Sequence, residues 1–268
     1  MASGIRRLTA AAEGLPIQVT VRGSGTPVLL LPGATGMPFG YAPLIRLLSR
    51  KCGLVTYDRR GHGHSAVEGD EPVSVTDHAR DAEAVLTALD EGPVHIVGSS
   101  AGALIGLETL IRCPQRVGTV LAHEPPAVPL LDDAERWQTW YADIVGINRA
   151  LSTRAAFDYF FAHVLSDGTG EQAAIGVPDS QLPEWDVYLR RELTGIVTHP
   201  LSPDALRAVR EQIVPALGAD SRERWHGRVV TELSRMVDRP ALEVPGGHLA
   251  PTYQPVPFAE AVSRAFAL

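Results

Sequence analysis

Gly98-Ser99-Ser100-Ala101-Gly102 has the G-x-S-x-G spacing of a serine set on a tight turn. The short apolar run Val94-His95-Ile96-Val97 precedes it, and an apolar helical pattern from Ala101 to Ile111 follows at once. Passing from strand to helix in one residue strains the backbone of the central position. Small residues two positions away on either side are needed to avoid a clash, and here both are glycine. Such a turn lifts Ser100 Oγ out at the carboxyl edge of a sheet, where open α/β sheets bind ligands. The helix behind it offers unpaired N–H groups and a positive dipole end to a developing oxyanion. The chemistry these residues suggest is nucleophilic attack by Ser100.

A serine hydroxyl is a weak nucleophile until a base takes its proton. Of the nine histidines, His248 stands in Pro245-Gly246-Gly247-His248, between the last expected strand and the last expected helix. Chain order also fits, with serine first, acid second and histidine last. His226 falls within a helix, His199 precedes Pro200, and His78 lies on a polar helix face, so these read as bystanders. Two acids compete to orient His248. Glu124 follows the expected strand Val117–Ala122, and Pro125-Pro126 stops that strand directly behind it, one strand away from Ser100. Asp220 follows the expected strand Ile213–Leu217, whose Pro215 interrupts regular pairing. Glu124 is the expected acid and Asp220 its rival.

The elements that must position these groups alternate along the chain. Residues 16 to 22 alternate like a half-buried edge strand. Val28–Leu31 and Leu54–Tyr57 read as buried strands, with helical spacing over 41–49 and over Val75–Leu89. Strands and helices in turn imply βαβ units, a mostly parallel sheet and helices on both faces. Between about 127 and 212 the pattern changes. Helix-like segments at 132–147, 153–165, 184–194 and 203–212 carry most of the aromatic residues, with no convincing strand. Strand and helix return at Ile213–Leu217, Arg222–Val237, Ala241–Val244 and a helix from about Pro257. The expected organisation is a core of residues 1–126 and 213–268 interrupted by a helical cap, 127–212.

The 268 residues suit one such domain with an insertion, and a hydrophobic fraction of 45% supplies a sizeable core. A net charge of −7 speaks against nucleic acid or an anionic membrane as the main partner. Cys52 and Cys113 form neither a disulfide framework nor a metal-ligand pattern, and each is flanked by apolar sequence, as buried thiols are. After Arg6 and Arg7 there is no apolar stretch of signal-peptide length, and no run approaches the roughly 18 apolar residues of a membrane span. The cytoplasm is the default expectation. There is no H-E-x-x-H, His62-Gly63-His64 alone is a weak metal signal, and Gly61-x-Gly63 lacks the third glycine of a dinucleotide site. No metal and no cofactor is expected.

Three separated motifs make the chain resemble the α/β-hydrolases over residues 15–126 and 213–268: Leu31-Pro32-Gly33-Ala34, Asp58-Arg59-Arg60-Gly61-His62-Gly63-His64-Ser65, and the turn around Ser100. The resemblance implies an α/β-hydrolase fold, an eight-stranded, mostly parallel sheet with an inserted helical cap. By position it makes the backbone N–H groups of Ala34 and Ala101 the oxyanion hole. Pro32 replaces the family's usual histidine, but only backbone is needed there. The second motif is structural in the family, which leaves His62 and His64 as loop residues. The family's commoner acid position, third after the glycine that ends the seventh strand, falls here on Ser221, which carries no charge. That favours Glu124 again. Dehalogenases and epoxide hydrolases of this fold use aspartate where Ser100 stands.

Within the family the chain is similar to the zearalenone lactonases, through His123-Glu124-Pro125-Pro126, Pro183-Glu184-Trp185 and Pro245-Gly246-Gly247-His248. That similarity implies a Ser100, Glu124, His248 triad and makes Trp185 a substrate-binding residue, with cap packing as its alternative role. The expected activity is hydrolysis of a small hydrophobic ester or lactone through an acyl-enzyme. The same triad also serves carbon–carbon bond hydrolysis, perhydrolysis and hydroxynitrile cleavage, and a non-catalytic ligand receptor on this fold is a third class.

Overall fold

In the computed structural model, which describes residues 4–65, 69–164 and 177–268, the strands are β1 (Ile5–Ala12), β2 (Leu15–Arg22), β3 (Pro27–Leu31), β4 (Gly53–Tyr57), β5 (Val94–Ser99), β6 (Val117–His123), β7 (Ile213–Gly218) and β8 (Leu242–Val244). They form one sheet in the order β1-β2-β4-β3-β5-β6-β7-β8. The pairs β1/β2 and β2/β4 are antiparallel and the other five are parallel. The sheet is therefore mostly parallel with an antiparallel edge.

Alternation along the central strands sends side chains into two apolar layers. Leu29 and Leu31 of β3 join the layer that holds α2 (Val75–Leu89) and α3 (Ala101–Arg112). Val28 and Leu30 join the layer with α1 (Ala42–Leu48) and the C-terminal helix Pro255–Phe266. A strand buried on both faces reads as a continuous apolar run, as Val28–Leu31 does.

The expected edge strand is not the edge. β1 pairs outside β2 along its whole length, from Ile5↔Arg22 to Ala12↔Leu15. Residues Ala10–Ala12 are small and apolar, with weak strand propensity. What makes the hairpin is its two-residue turn, where Glu13 and Gly14 both take positive φ, 49° and 85°.

Between β6 and β7 the described residues are helical: α4 (Ala134–Ala150), α5 (Thr153–Val164), α6 (Leu182–Val187), a π-helical turn Tyr188–Glu192, α7 (Leu193–Val197) and α8 (Pro203–Ala208). Leu165, the last residue of the expected 153–165 segment, lies outside the described residues. Phe157, Phe160, Trp185 and Tyr188 of this stretch belong to the same apolar layer as α2 and α3, so it shares the core instead of forming its own. After β7 come α9 (Trp225–Val237), β8, α10 (Ala250–Tyr253) and α11 (Pro255–Phe266). No helix among the described residues is long and apolar enough to cross a membrane.

Candidate active site

The turn between β5 and α3 has the geometry its glycines foretell. Ser100 sits at φ 52°, ψ −124°, a strained conformation for a residue with a side chain. A Cβ on Gly98 would lie 2.5 Å from the Gly102 carbonyl oxygen, and one on Gly102 would lie 2.0 Å from the Leu31 carbonyl oxygen. Only glycine fits either position. The Ser100 N–H donates to the His123 carbonyl at 2.9 Å, which fixes the turn to the end of β6.

The register Ser99↔His123 places the next residues, Ser100 and Glu124, side by side at the carboxyl edge. Glu124 turns back with φ 47° and is fully buried. Its Oε1 accepts the Gly218 N–H at 2.8 Å and its Oε2 accepts the Nδ1–H of His248 at 2.8 Å. Burial by itself would raise the Glu124 pKa, but the interaction with His123 and the hydrogen bond from His248 outweigh it and hold the carboxyl well below its ordinary range. An ionised, hydrogen-bonded carboxylate at Nδ1 dictates the His248 tautomer and leaves Nε2 for the cavity side. The rival acid does not take this place: Asp220 is exposed, its N–H donates to the Gly246 carbonyl at 3.0 Å, and His248 Nδ1 is bonded to Glu124.

Ser100 and His248 line one cavity of about 360 Å³. Ala34 lines it too, at φ 23°, whereas Ala101 is fully buried as the first residue of α3. Among the described residues neither the Ala34 nor the Ala101 N–H is taken up by a backbone acceptor. Tyr41 Oη accepts the Gly33 N–H at 3.2 Å and braces the loop at the end of β3. Trp185 is 7% exposed and forms a cavity wall with Phe157, Phe160, Phe161 and Tyr188. Its ring meets Phe157 edge-on at 4.8 Å and Tyr188 at 5.8 Å. The described cavity lining carries no Asp, Glu, Lys or Arg side chain.

Two features of the site carry no signal in the sequence. The loop residue His62 is completely buried, and its ring nitrogens bond Glu184 (2.7 Å) and Glu192 of the insertion. Carboxylates accept and do not donate, so both nitrogens carry protons and the ring is an imidazolium. Desolvation would lower the His62 pKa, but the charge of Glu192 and the hydrogen bonds His62 donates to both carboxylates outweigh it and raise it. Glu192 also accepts from Arg59 at 2.7 Å, and Arg59 donates in turn to the carbonyl of Ala34. A buried charge cluster thus ties the insertion to the loop that carries Ala34. The second feature is His226, whose ring stacks on His248 with centroids 4.0 Å apart. Neither histidine announces these contacts in its local sequence.

Glu124, His226 and His248 bring three ligand atoms within 4.8 Å of one another, the one such grouping among the described residues. The two imidazoles are stacked at an interplanar angle of 24°, so their in-plane lone pairs run in nearly parallel planes and do not converge on an ion.

A family model described as alpha/beta hydrolase family matches residues 28–261. The chain belongs to the alpha/beta hydrolase family. It is 30% identical over 257 residues to the uncharacterized hydrolase YraK of Bacillus subtilis, covering 94% of this chain and 93% of that one. A thermophilic esterase from Thermogutta terrifontis superposes with a TM-score of 0.75 at 17% identity, covering 98% of both chains. Naproxen esterase from Bacillus subtilis does so with a TM-score of 0.64 at 17% identity, covering 98% of this chain and 92% of that one. At these identities the likeness of the two esterases to this alpha/beta hydrolase is one of fold.

Proposed function

We propose that this alpha/beta hydrolase is a serine hydrolase that cleaves neutral, hydrophobic esters or lactones through an acyl-enzyme. The observation that carries the reading is the cavity itself: Ser100 on its strained turn and His248 held by Glu124 face one apolar, aromatic-walled space. His248 Nε2 takes the Ser100 proton as Oγ attacks the substrate carbonyl carbon. The oxyanion accepts hydrogen bonds from the N–H groups of Ala34 and Ala101. The intermediate collapses, the C–O bond to the leaving alcohol breaks, and His248 returns the proton to that oxygen. Water then attacks the acyl-enzyme with His248 again as base, which releases the acid and restores Ser100. Glu124 holds the tautomer and stabilises the imidazolium throughout.

The cavity wall supports a neutral substrate, because an anion or cation would lose its hydration there without a charged partner. Residues 127–212 act as a cap that selects substrate, with Trp185 as part of its binding surface. A macrocyclic lactone of the zearalenone type suits this reading, and its ring opening leaves the alcohol and acid in one product. The test is turnover of a graded series of p-nitrophenyl esters and of macrocyclic lactones, with Ser100→Ala as blank. Hydrolysis that the Ala variant abolishes supports the reading. Equal turnover by the two proteins refutes it.

A further inference from the structure

His226 is a costly residue where it stands. It lies in the first turn of α9, is 1% exposed, and neither ring nitrogen has a hydrogen-bond partner among the described residues. Leaving buried polar atoms unpaired carries their full desolvation cost, which an apolar ring of similar shape would avoid. Burial pushes its pKa well down, and the neighbouring His248 and Arg224 push the same way against Glu124. The ring is therefore neutral. It is also tightly held, with the Trp225 ring centroid at 3.8 Å and the His248 ring centroid at 4.0 Å.

We propose that His226 is a positioning residue for the reaction above: a neutral, flat platform that fixes the plane of the His248 imidazole. The inference rests on the serine-hydrolase reading. The bond to Glu124 anchors one edge of His248 but leaves the ring free to rock about that bond. A second ring packed on its face removes that freedom, so Nε2 keeps the line it needs toward Ser100. Neutrality matters as much as flatness. A cation at 4.0 Å would oppose the imidazolium that forms in the transition state, whereas a neutral π face accommodates it. The platform also shields that face from water. The other titratable groups facing this pair are Glu124 and His123 at the end of β6 and Arg224 ahead of α9.

The test uses a fluorophosphonate probe, which needs no knowledge of the natural substrate, and follows its rate of labelling from acid to alkaline pH. Wild type, His226→Ala, His226→Gln and His226→Phe are compared, with thermal melting of each. We expect His226→Ala and His226→Gln to label about tenfold more slowly or worse, and His226→Phe to stay within about threefold of wild type. The acid limb of the Ala variant should move to higher pH, because water reaching the uncovered face favours the imidazolium. Ala and Gln variants that label at the wild-type rate would overturn the inference alone. So would slower labelling with an unmoved acid limb, the mark of a merely structural role. A wild type that the probe does not label would remove the serine-hydrolase reading and this inference together.

Discussion

Ser100, Glu124 and His248 each announce themselves through a local backbone signature. Glycines flank the serine, prolines stop the strand behind the glutamate, and two glycines lead into the histidine. His226 has no such signature, because its contact with His248 depends on how α9 is laid against the end of the sheet. That is tertiary information, which spacing does not carry. Ser100→Ala should fold as wild type does and lose nearly all turnover, with only binding and oxyanion stabilisation left. Near-normal circular dichroism and melting with abolished ester turnover is the expected result. Glu124→Gln should lower kcat by about three to four orders of magnitude, while Asp220→Asn should change it less than about tenfold. The reverse pattern would hand the role to Asp220. Glu124 also bears on stability. Its folded pKa lies below the ordinary carboxylate value, so its contribution is present above about pH 4 and fades as pH falls further. Acid unfolding followed by fluorescence should lose part of its pH dependence in Glu124→Gln.

The parallel core strands and the helices between them are legible at the element scale because long, regular patterns fill them. The boundaries and the outermost strand are not. β1 depends on the Glu13-Gly14 turn instead of on strand-forming residues, and the π-helical turn Tyr188–Glu192 breaks a segment whose sequence reads as one helix. That turn carries Glu192 into the buried cluster with His62, Arg59 and His78. The cluster is balanced by the proton on His62: Glu184 and Glu192 face His62 and Arg59, while burial lowers the His78 pKa and keeps that ring neutral. A raised folded pKa contributes stability fully below the unfolded value, near 6.5, and loses it as pH rises through the folded value. The melting temperature should therefore fall on the alkaline side. His62→Gln should melt lower than wild type at neutral pH and lose that alkaline decline. A variant that keeps the wild-type profile would show that the cluster does not hold the insertion in place.

For the whole molecule, one continuous apolar layer runs from the sheet through α2 and α3 into the helical insertion, and the cavity opens where the two meet. The fold class is readable from the alternation of elements, whereas the cavity is not, since its walls come from segments more than a hundred residues apart. Trp185 stands in that wall, and Trp185→Ala should reduce kcat/KM on a bulky lactone by about 100-fold or more, the scale of a buried aromatic truncation. Turnover of p-nitrophenyl acetate should change little. Equal losses on both substrates would mean that Trp185 only packs the insertion. Covalent trapping asks directly whether Ser100 is the nucleophile. Wild type is treated with an organophosphonate, its intact mass is measured and the adduct is mapped by peptide mass spectrometry. One adduct per chain on the peptide containing Ser100, absent from Ser100→Ala, is the result expected here. An adduct on another serine, or inactivation with Ser100 unmodified, would contradict it.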